Sequence, residues 1–252
     1  MAQAVDRERR VSATPDEVMV VNAARALADG EVCLVGVGQP NAAANLARRL
    51  HAPDCVLVYE SGAIAAKPVR LPLSIGDDDL AATADALVSV PEMFNYWIGA
   101  GRIDVGFLGA AQIDRWGNLN TTTIGPYDQP TVRLPGAGGA PEIAARSGRI
   151  IVLLRHSPRA FVERLDFTTS RGPGERRRDR FVVITDLGVL RPGEDGELEL
   201  VAVHEGATAA QVIAATGWPV RVRDPLEVSP PPTERELAVL RDLRSSNGGG
   251  HA

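Results

Sequence analysis

Apolar positions recur along this chain at two spacings, and each change of spacing marks an element. Val18, Val21, Ala24 and Leu27 lie three residues apart, the period of one helix face. Just ahead of them, Thr14-Pro15-Asp16-Glu17 offers a capping hydroxyl, a proline suited to a first turn and a carboxylate that closes a capping box. Gly30 stops that helix. An unbroken apolar run over 32–37 reads as a buried strand. Gly36-Val37-Gly38-Gln39-Pro40 turns the chain into a helix over about 41–50, and 55–60 reads as the next strand. Strand, turn, helix and strand in that order make a βαβ unit, which requires parallel pairing and a right-handed crossover.

The alternation continues downstream. Ser89-Val90-Pro91-Glu92 opens a helix to about residue 100, and 105–108 is a strand. Gly136-Ala137-Gly138-Gly139 precedes a helix around 142–147, followed by a strand over 150–154. Strands over 181–185 and 198–204 suggest a late antiparallel part, and Thr233-Glu234-Arg235-Glu236 repeats the capping-box pattern before a last helix. The expected class is α/β: an open, mainly parallel sheet with flanking helices. Residues 170–179 read as a polar loop. Residues 1–13 are expected to be a flexible N-terminus, 14–244 a single domain, and the Ser/Gly-rich 245–252 a disordered tail.

Composition narrows the function classes. The chain's 252 residues suffice for one large α/β core. A net charge of -5 disfavours nucleic acid as a partner, because phosphate neutralisation needs a basic field. Arg176-Arg177-Arg178, flanked by Glu175 and Asp179, reads as a solvated loop. No stretch approaches a membrane span and no apolar leader opens the chain, so no membrane partner is expected and the cytoplasm is the default setting. Cys33 and Cys55 sit in apolar runs without a CxxC pattern and read as inert buried thiols. The four histidines are scattered and fit no metal-ligand spacing, so no metal site is expected.

Three groups of residues carry candidate chemistry. Glu60 ends an apolar strand and is followed by Ser61-Gly62; in open parallel sheets ligands bind beyond the carboxyl ends of strands. A strand-end glutamate facing solvent is the plain alternative. Gly36-x-Gly38 with an acid 24 positions after Gly36 also outlines a dinucleotide fingerprint, but Asn41 stands where a third glycine belongs, and Pro40 removes an N–H from the turn. Gly138 and Gly139, at a helix start, expose backbone N–H groups suited to an anion or an oxyanion, or simply make a turn. Trp116-Gly117-Asn118 is a hairpin turn, beside which Gln112, Asn118 and Asn120 carry amides able to orient a carboxylate or thioester. His51 follows a helix and complements its C-terminal dipole. Lys67 and Arg70, soon after Glu60, are placed to meet a substrate carboxylate or, as the plainer reading, serve as surface cations.

Taken in order, Val35-Gly36-Val37-Gly38-Gln39-Pro40, Ala52-Pro53-Asp54, Glu60-Ser61-Gly62, Leu108-Gly109-Ala110-Ala111-Gln112-Ile113-Asp114 with Gly117-Asn118, and 135–139 resemble the β subunit of family I CoA-transferases of the glutaconate CoA-transferase type. The resemblance runs from about residue 15 to 220. It implies a CoA-transferase-like fold shared distantly with ribose-5-phosphate isomerase, and an acyl-CoA:carboxylate transferase working through a glutamyl-CoA thioester on Glu60. The implied active-site loop is Gly138-Gly139, and the implied substrate and CoA contacts are Gly36, Gly38, Ser61, Gly62, Asn118 and Asn120. An α-type subunit is the implied partner, in a heterodimer or α2β2 heterotetramer. No tightly bound cofactor is implied; the coenzyme A thioester is substrate. Other family I enzymes carry Glu-Asn-Gly where this chain has Glu60-Ser61-Gly62, and Ser61 agrees with the glutaconate branch. Relatives that decarboxylate or hydrolyse acyl-CoA esters lack this glutamate, so its retention favours transfer. A non-catalytic ligand-binding domain is the remaining alternative.

Overall fold

The computed structural model describes residues 12–245. The segments expected to be flexible or disordered, 1–13 and 245–252, lie outside the described residues except for Ser12, Ala13 and Ser245, and Ser245 closes the last helix. Ten strands form one sheet. Their order across it is Arg221–Ser229, Leu198–His204, Gly188–Pro192, Phe181–Ile184, Arg149–Leu153, Val105–Leu108, Val32–Leu34, Val56–Val58, Ala63–Ile64 and Ala86–Leu87. Five of the nine pairings are parallel, including all four among the central strands.

The chain order reverses in the middle of the sheet. From Val32–Leu34 the chain moves one place outward to Val56–Val58, then returns to Val105–Leu108 on the other side of its starting strand. The connecting segments therefore leave the sheet in opposite directions. This opens a crevice at the carboxyl ends of Val32–Leu34 and Val105–Leu108, the topological switch point where open α/β sheets bind ligands.

Each face of the sheet has its own apolar core. The helices Pro15–Arg25, Gln39–Leu50 and Glu234–Ser245 cover one face around Met19, Leu46, Leu57 and Leu240. Ala42, Ala43, Ala44 and Ala47 are all buried, and small side chains let Gln39–Leu50 lie close against its neighbours. The other face carries Ala140–Arg146 and the π-helical turn Met93–Ile98 over Leu34, Val58, Ile143 and Val152. The capping box read at Thr14 with Glu17 is formed, and Ser89 with Glu92 makes another that the sequence reading had not named. Thr233 and Glu236 exchange the same pair of hydrogen bonds ahead of the last helix.

Several expectations are corrected. The helix expected over 41–50 begins at Gln39, with Pro40 in its first turn. The strand expected over 55–60 stops at Val58 because the chain enters a tight turn at Tyr59. The 181–185 strand is parallel to its inner neighbour, and the antiparallel part begins only with Gly188–Pro192. The basic triplet is not simply a solvated loop. Glu175–Arg180 is a 3-10 helix, Arg177 donates to the carbonyls of Ala144 and Ala145 at the end of Ala140–Arg146, and Arg178 donates to Glu194 O.

Candidate active site

The site is built where the Val56–Val58 strand turns back on itself. Gly62 N–H donates to Tyr59 O at 2.9 Å, and Tyr59 N–H donates to Ala63 O at 3.0 Å. Glu60 and Ser61 are thus the two central residues of a turn joining Val56–Val58 to the antiparallel Ala63–Ile64. Gly62 is fixed by conformation and by space. Its φ is +103°, and a Cβ there would stand 1.9 Å from the Val88 carbonyl oxygen. The strand end beneath Glu60 is equally fixed. Tyr59 is fully buried, and its hydroxyl donates to Asn41 Oδ1 at 2.8 Å, tying the turn to the Gln39–Leu50 helix.

Glu60 points into a cavity of ≈ 480 Å³. Its walls come from the switch-point strand ends (Leu34 to Val37, Phe107 to Ala111), the loop 134–139, and Ile143 of the following helix. Glu60 is the only charged residue among the described residues that line it. No described residue donates a hydrogen bond to its carboxylate, and burial holds its pKa above the ordinary carboxylate value.

The glycine loop lies against that carboxylate. A Cβ on Gly139 would approach Glu60 Oε1 to 2.7 Å and Phe94 Cζ to 2.8 Å, so only glycine lets backbone, carboxylate and ring meet here. Gly136 and Gly138 have φ of +99° and +48°. Thr121 anchors the loop, accepting from Gly136 N through its carbonyl and donating to Gly136 O through its hydroxyl. The N–H groups of Gly138 and Gly139 have no acceptor among the described residues, so they remain available to a ligand beside Glu60.

Of the residues singled out in the sequence, Glu60, Gly36, Gly138 and Gly139 line the cavity together. The others do not. Gly38 caps the Gln39–Leu50 helix with φ +84°, a backbone role. Ser61 sits in the turn beside Glu60 outside the lining, and Gly62 packs on Val88. Asn118 is spent on the hairpin: it donates to Asp114 Oδ2 and accepts from Gly172 N. Asn120 is fully buried and saturated, bonding Gln112 Oε1, Thr123 O and the N–H groups of Thr122 and Thr123. Both side chains thus hold the local chain, and neither lines this cavity. Lys67 and Arg70 pair with Asp85 and Asp77, and His51 caps its helix and bonds Leu27 O. Sequence reasoning missed Phe94, Phe107, Thr121 and Ile75. Only the helical spacing around Phe94 hinted at an inward-facing ring.

Comparison with known proteins agrees with this geometry. Residues 17–215 match the coenzyme A transferase family, and the chain belongs to that family. It is 50% identical to one of the subunits of the 3-oxoadipate CoA-transferase of Pseudomonas knackmussii, over 94% of this chain and 95% of that one. The crystal structure of glutaconate coenzyme A-transferase from Acidaminococcus fermentans superimposes with a TM-score of 0.86 at 30% identity, covering 94% of this chain and 97% of that one. The decarboxylase AibA/AibB superimposes with a TM-score of 0.84 at 32% identity, covering 93% of this chain and 96% of that one. The fold is that of the CoA-transferases, and the β-subunit resemblance read in the sequence holds over most of the chain.

Proposed function

We propose that this chain is the nucleophile-bearing subunit of a two-subunit acyl-CoA:carboxylate CoA-transferase, with Glu60 as the nucleophile. The observation that carries this is the Glu60 carboxylate itself: half-buried, without a protein hydrogen-bond donor among the described residues, and beside the unpartnered Gly138-Gly139 backbone. A carboxylate stripped of water gains nucleophilicity toward a thioester, and N–H donors beside it stabilise the oxyanion that forms. Glu60 attacks the acyl-CoA carbonyl and expels CoA thiolate, leaving an acyl-glutamyl anhydride. The thiolate attacks the Glu60 carbonyl of that anhydride, releasing the first carboxylate and forming a glutamyl-CoA thioester. The acceptor carboxylate then runs the sequence in reverse. No metal or tightly bound cofactor takes part in this scheme.

Similarity to the 3-oxoadipate enzyme supports a short dicarboxylic acid as one substrate. The cavity lining offers no cation to its second carboxylate, so that cation comes from an α-type partner chain; the relative too is one subunit of its enzyme. No helix among the described residues is long and apolar enough to cross a membrane. The cytoplasm is proposed as the setting.

The test is to co-express the chain with an α-type subunit, add acyl-CoA, trap with borohydride or hydroxylamine, and map the modified residue. Modification at Glu60 and ping-pong kinetics are expected. An unmodified Glu60, with Glu60→Ala exchanging CoA at the wild-type rate, would refute the proposal. Carbon dioxide released without an acceptor would instead place the chain with AibA/AibB, and free CoA without an acceptor would make it a hydrolase.

A further inference from the structure

The turn that carries Phe94 is wound more widely than an α-helix. After the Ser89 and Glu92 capping box, Met93–Ile98 is π-helical, and Gly99 N–H donates to Phe94 O, five residues back, at 2.7 Å. Met93 and Ile98 are both fully buried. Five residues apart on an α-helix, they would face about 140° away from each other. The wider turn lets one core hold both. Gly99 is suited to this turn, since a Cβ there would stand 2.9 Å from Phe94 O and 3.1 Å from Asn95 O. Such turns are rare and concentrate at functional sites. This one sets the Phe94 ring beside the nucleophile. The point where a Gly139 Cβ would lie is 2.7 Å from Glu60 Oε1, 2.8 Å from Phe94 Cζ and 2.9 Å from Phe94 Cε1. Carboxylate oxygen and ring edge therefore converge on one spot at the glycine loop. Phe94 is half-buried and is not among the residues that line the cavity, so its ring covers a flank of Glu60 that the cavity leaves.

Resting on the acyl-transfer reading above, we infer that Phe94 is a positioning residue for transfer: its ring edge holds the Glu60 side chain at the Gly138-Gly139 amides and keeps water from that flank. An apolar edge offers the carboxylate no hydrogen bond, and none comes from another described residue, in keeping with a pKa raised by desolvation. The ring also fills space into which the side chain would otherwise rotate, so fewer rotamers remain to Glu60. The use of a dry flank follows from the chemistry. In the glutamyl-CoA thioester, the Glu60 carbonyl carbon is open to two nucleophiles. Attack by the acceptor carboxylate breaks the C–S bond and gives an anhydride, from which CoA thiolate then takes the acyl group. Attack by water breaks the same bond but yields the Glu60 carboxylate, CoA and no acyl-CoA, so the transfer is lost. The glycine loop stands on one side of the carboxyl group and the Phe94 edge beside it, which leaves the cavity as the side from which the acceptor comes.

The experiment uses the full chain in complex with its partner subunit and two apolar substitutions. Phe94→Leu keeps the carbons nearest the backbone and deletes the ring edge, while Phe94→Met restores an apolar chain of similar reach. A water-soluble carbodiimide reacts with the protonated carboxyl, so mapping Glu60 modification against pH gives its titration midpoint without turnover. In Phe94→Leu that midpoint is expected to move down toward the ordinary 4.5, and the ratio of acyl-CoA hydrolysis to transfer to rise about tenfold. Phe94→Met is expected to keep both near the wild-type values. A merely structural role would lower the thermal midpoint of Phe94→Leu and leave the titration and the ratio where they are, and that result would overturn the inference. Equal displacement in Phe94→Leu and Phe94→Met would overturn it too, because lost packing rather than the missing edge would then be the cause. A titration that moves as expected in a protein without CoA exchange would uphold the placement of Phe94 and refute the acyl-transfer reading alone.

Discussion

At the scale of single residues, the site is a place where the fold gives up stability. Glu60 carries its carboxylate in surroundings whose desolvation disfavours the charged form. Its folded pKa is raised above the unfolded one, so the charge disfavours the native state above the folded pKa, and the penalty fades as pH falls through it. Glu60→Gln is therefore expected to raise the thermal midpoint at pH 7 by a few degrees while cutting transfer at least about a thousandfold. Calorimetry beside a CoA-exchange assay checks both halves, and a lowered midpoint would contradict the account. The same shift predicts an acid limb of kcat/KM lying above the ordinary glutamate value of 4.5. Gly139 is the complementary probe. Its φ of -84° suits alanine, so Gly139→Ala should fold, yet the new methyl displaces the Glu60 carboxylate. The expected result is a loss in kcat of about a hundredfold, with a lowered thermal midpoint because the methyl also displaces the Phe94 ring.

At the scale of elements, the hairpin at 59–64 decides whether Glu60 is presented at all. Gly62→Ala places a methyl inside the Val88 carbonyl and demands an unfavourable φ, at a cost of about 3 kcal/mol or more. Urea denaturation of that variant should show the loss; a wild-type midpoint would mean that the turn relaxes freely. This hairpin also shows what the sequence made legible. The apolar run before Glu60 announced the strand, and the small residues after it announced only a place of close approach, not the tight turn that stands there. The antiparallel return through Ala63–Ile64 to Ala86–Leu87 was silent, because two-residue strands have no periodicity to read. The outer strand Arg221–Ser229 was silent for another reason. It is mostly exposed and carries Arg221, Arg223, Asp224 and Pro225, a polar composition suited to a sheet edge. Glu60 and the glycine loop were visible as separate motifs. Their contact was not, because it arises from the crossing of strands distant in sequence. The bonds that Asn118 and Asn120 make were not legible either, because an amide that serves a turn and one that serves a substrate look alike until partners are counted.

At the scale of the whole molecule, charge pairs fasten distant segments. Glu17, nearly buried, is held at a pKa of about 2, chiefly by the hydrogen bond from Arg241. Its folded pKa is depressed, so its contribution is full above 4.5 and is lost as pH falls toward 2. His156 adds a milder acid sensitivity earlier. It stacks on Phe161 at 3.7 Å and bonds Thr216, and burial lowers its pKa to about 4. Between pH 6.5 and 4 the unfolded chain takes up a proton that the folded chain refuses, so stability falls with pH across that window. A loss of about 2 kcal/mol by pH 5 is expected from this group. Urea midpoints at pH 7 and pH 5 measure it, and His156→Gln should flatten the difference.

The pinning of the first helix by the last also bears on synthesis. Glu17 meets Arg241, and Arg25 meets Glu236, across more than two hundred residues of chain. The helix Pro15–Arg25 must therefore wait, one apolar flank uncovered, until Glu234–Ser245 has been released. A nascent chain stalled before Thr233 would hold its central strands but no clasp over its own beginning. Translation pauses before Glu234–Ser245 emerges thus fall in the interval when that apolar flank stands uncovered.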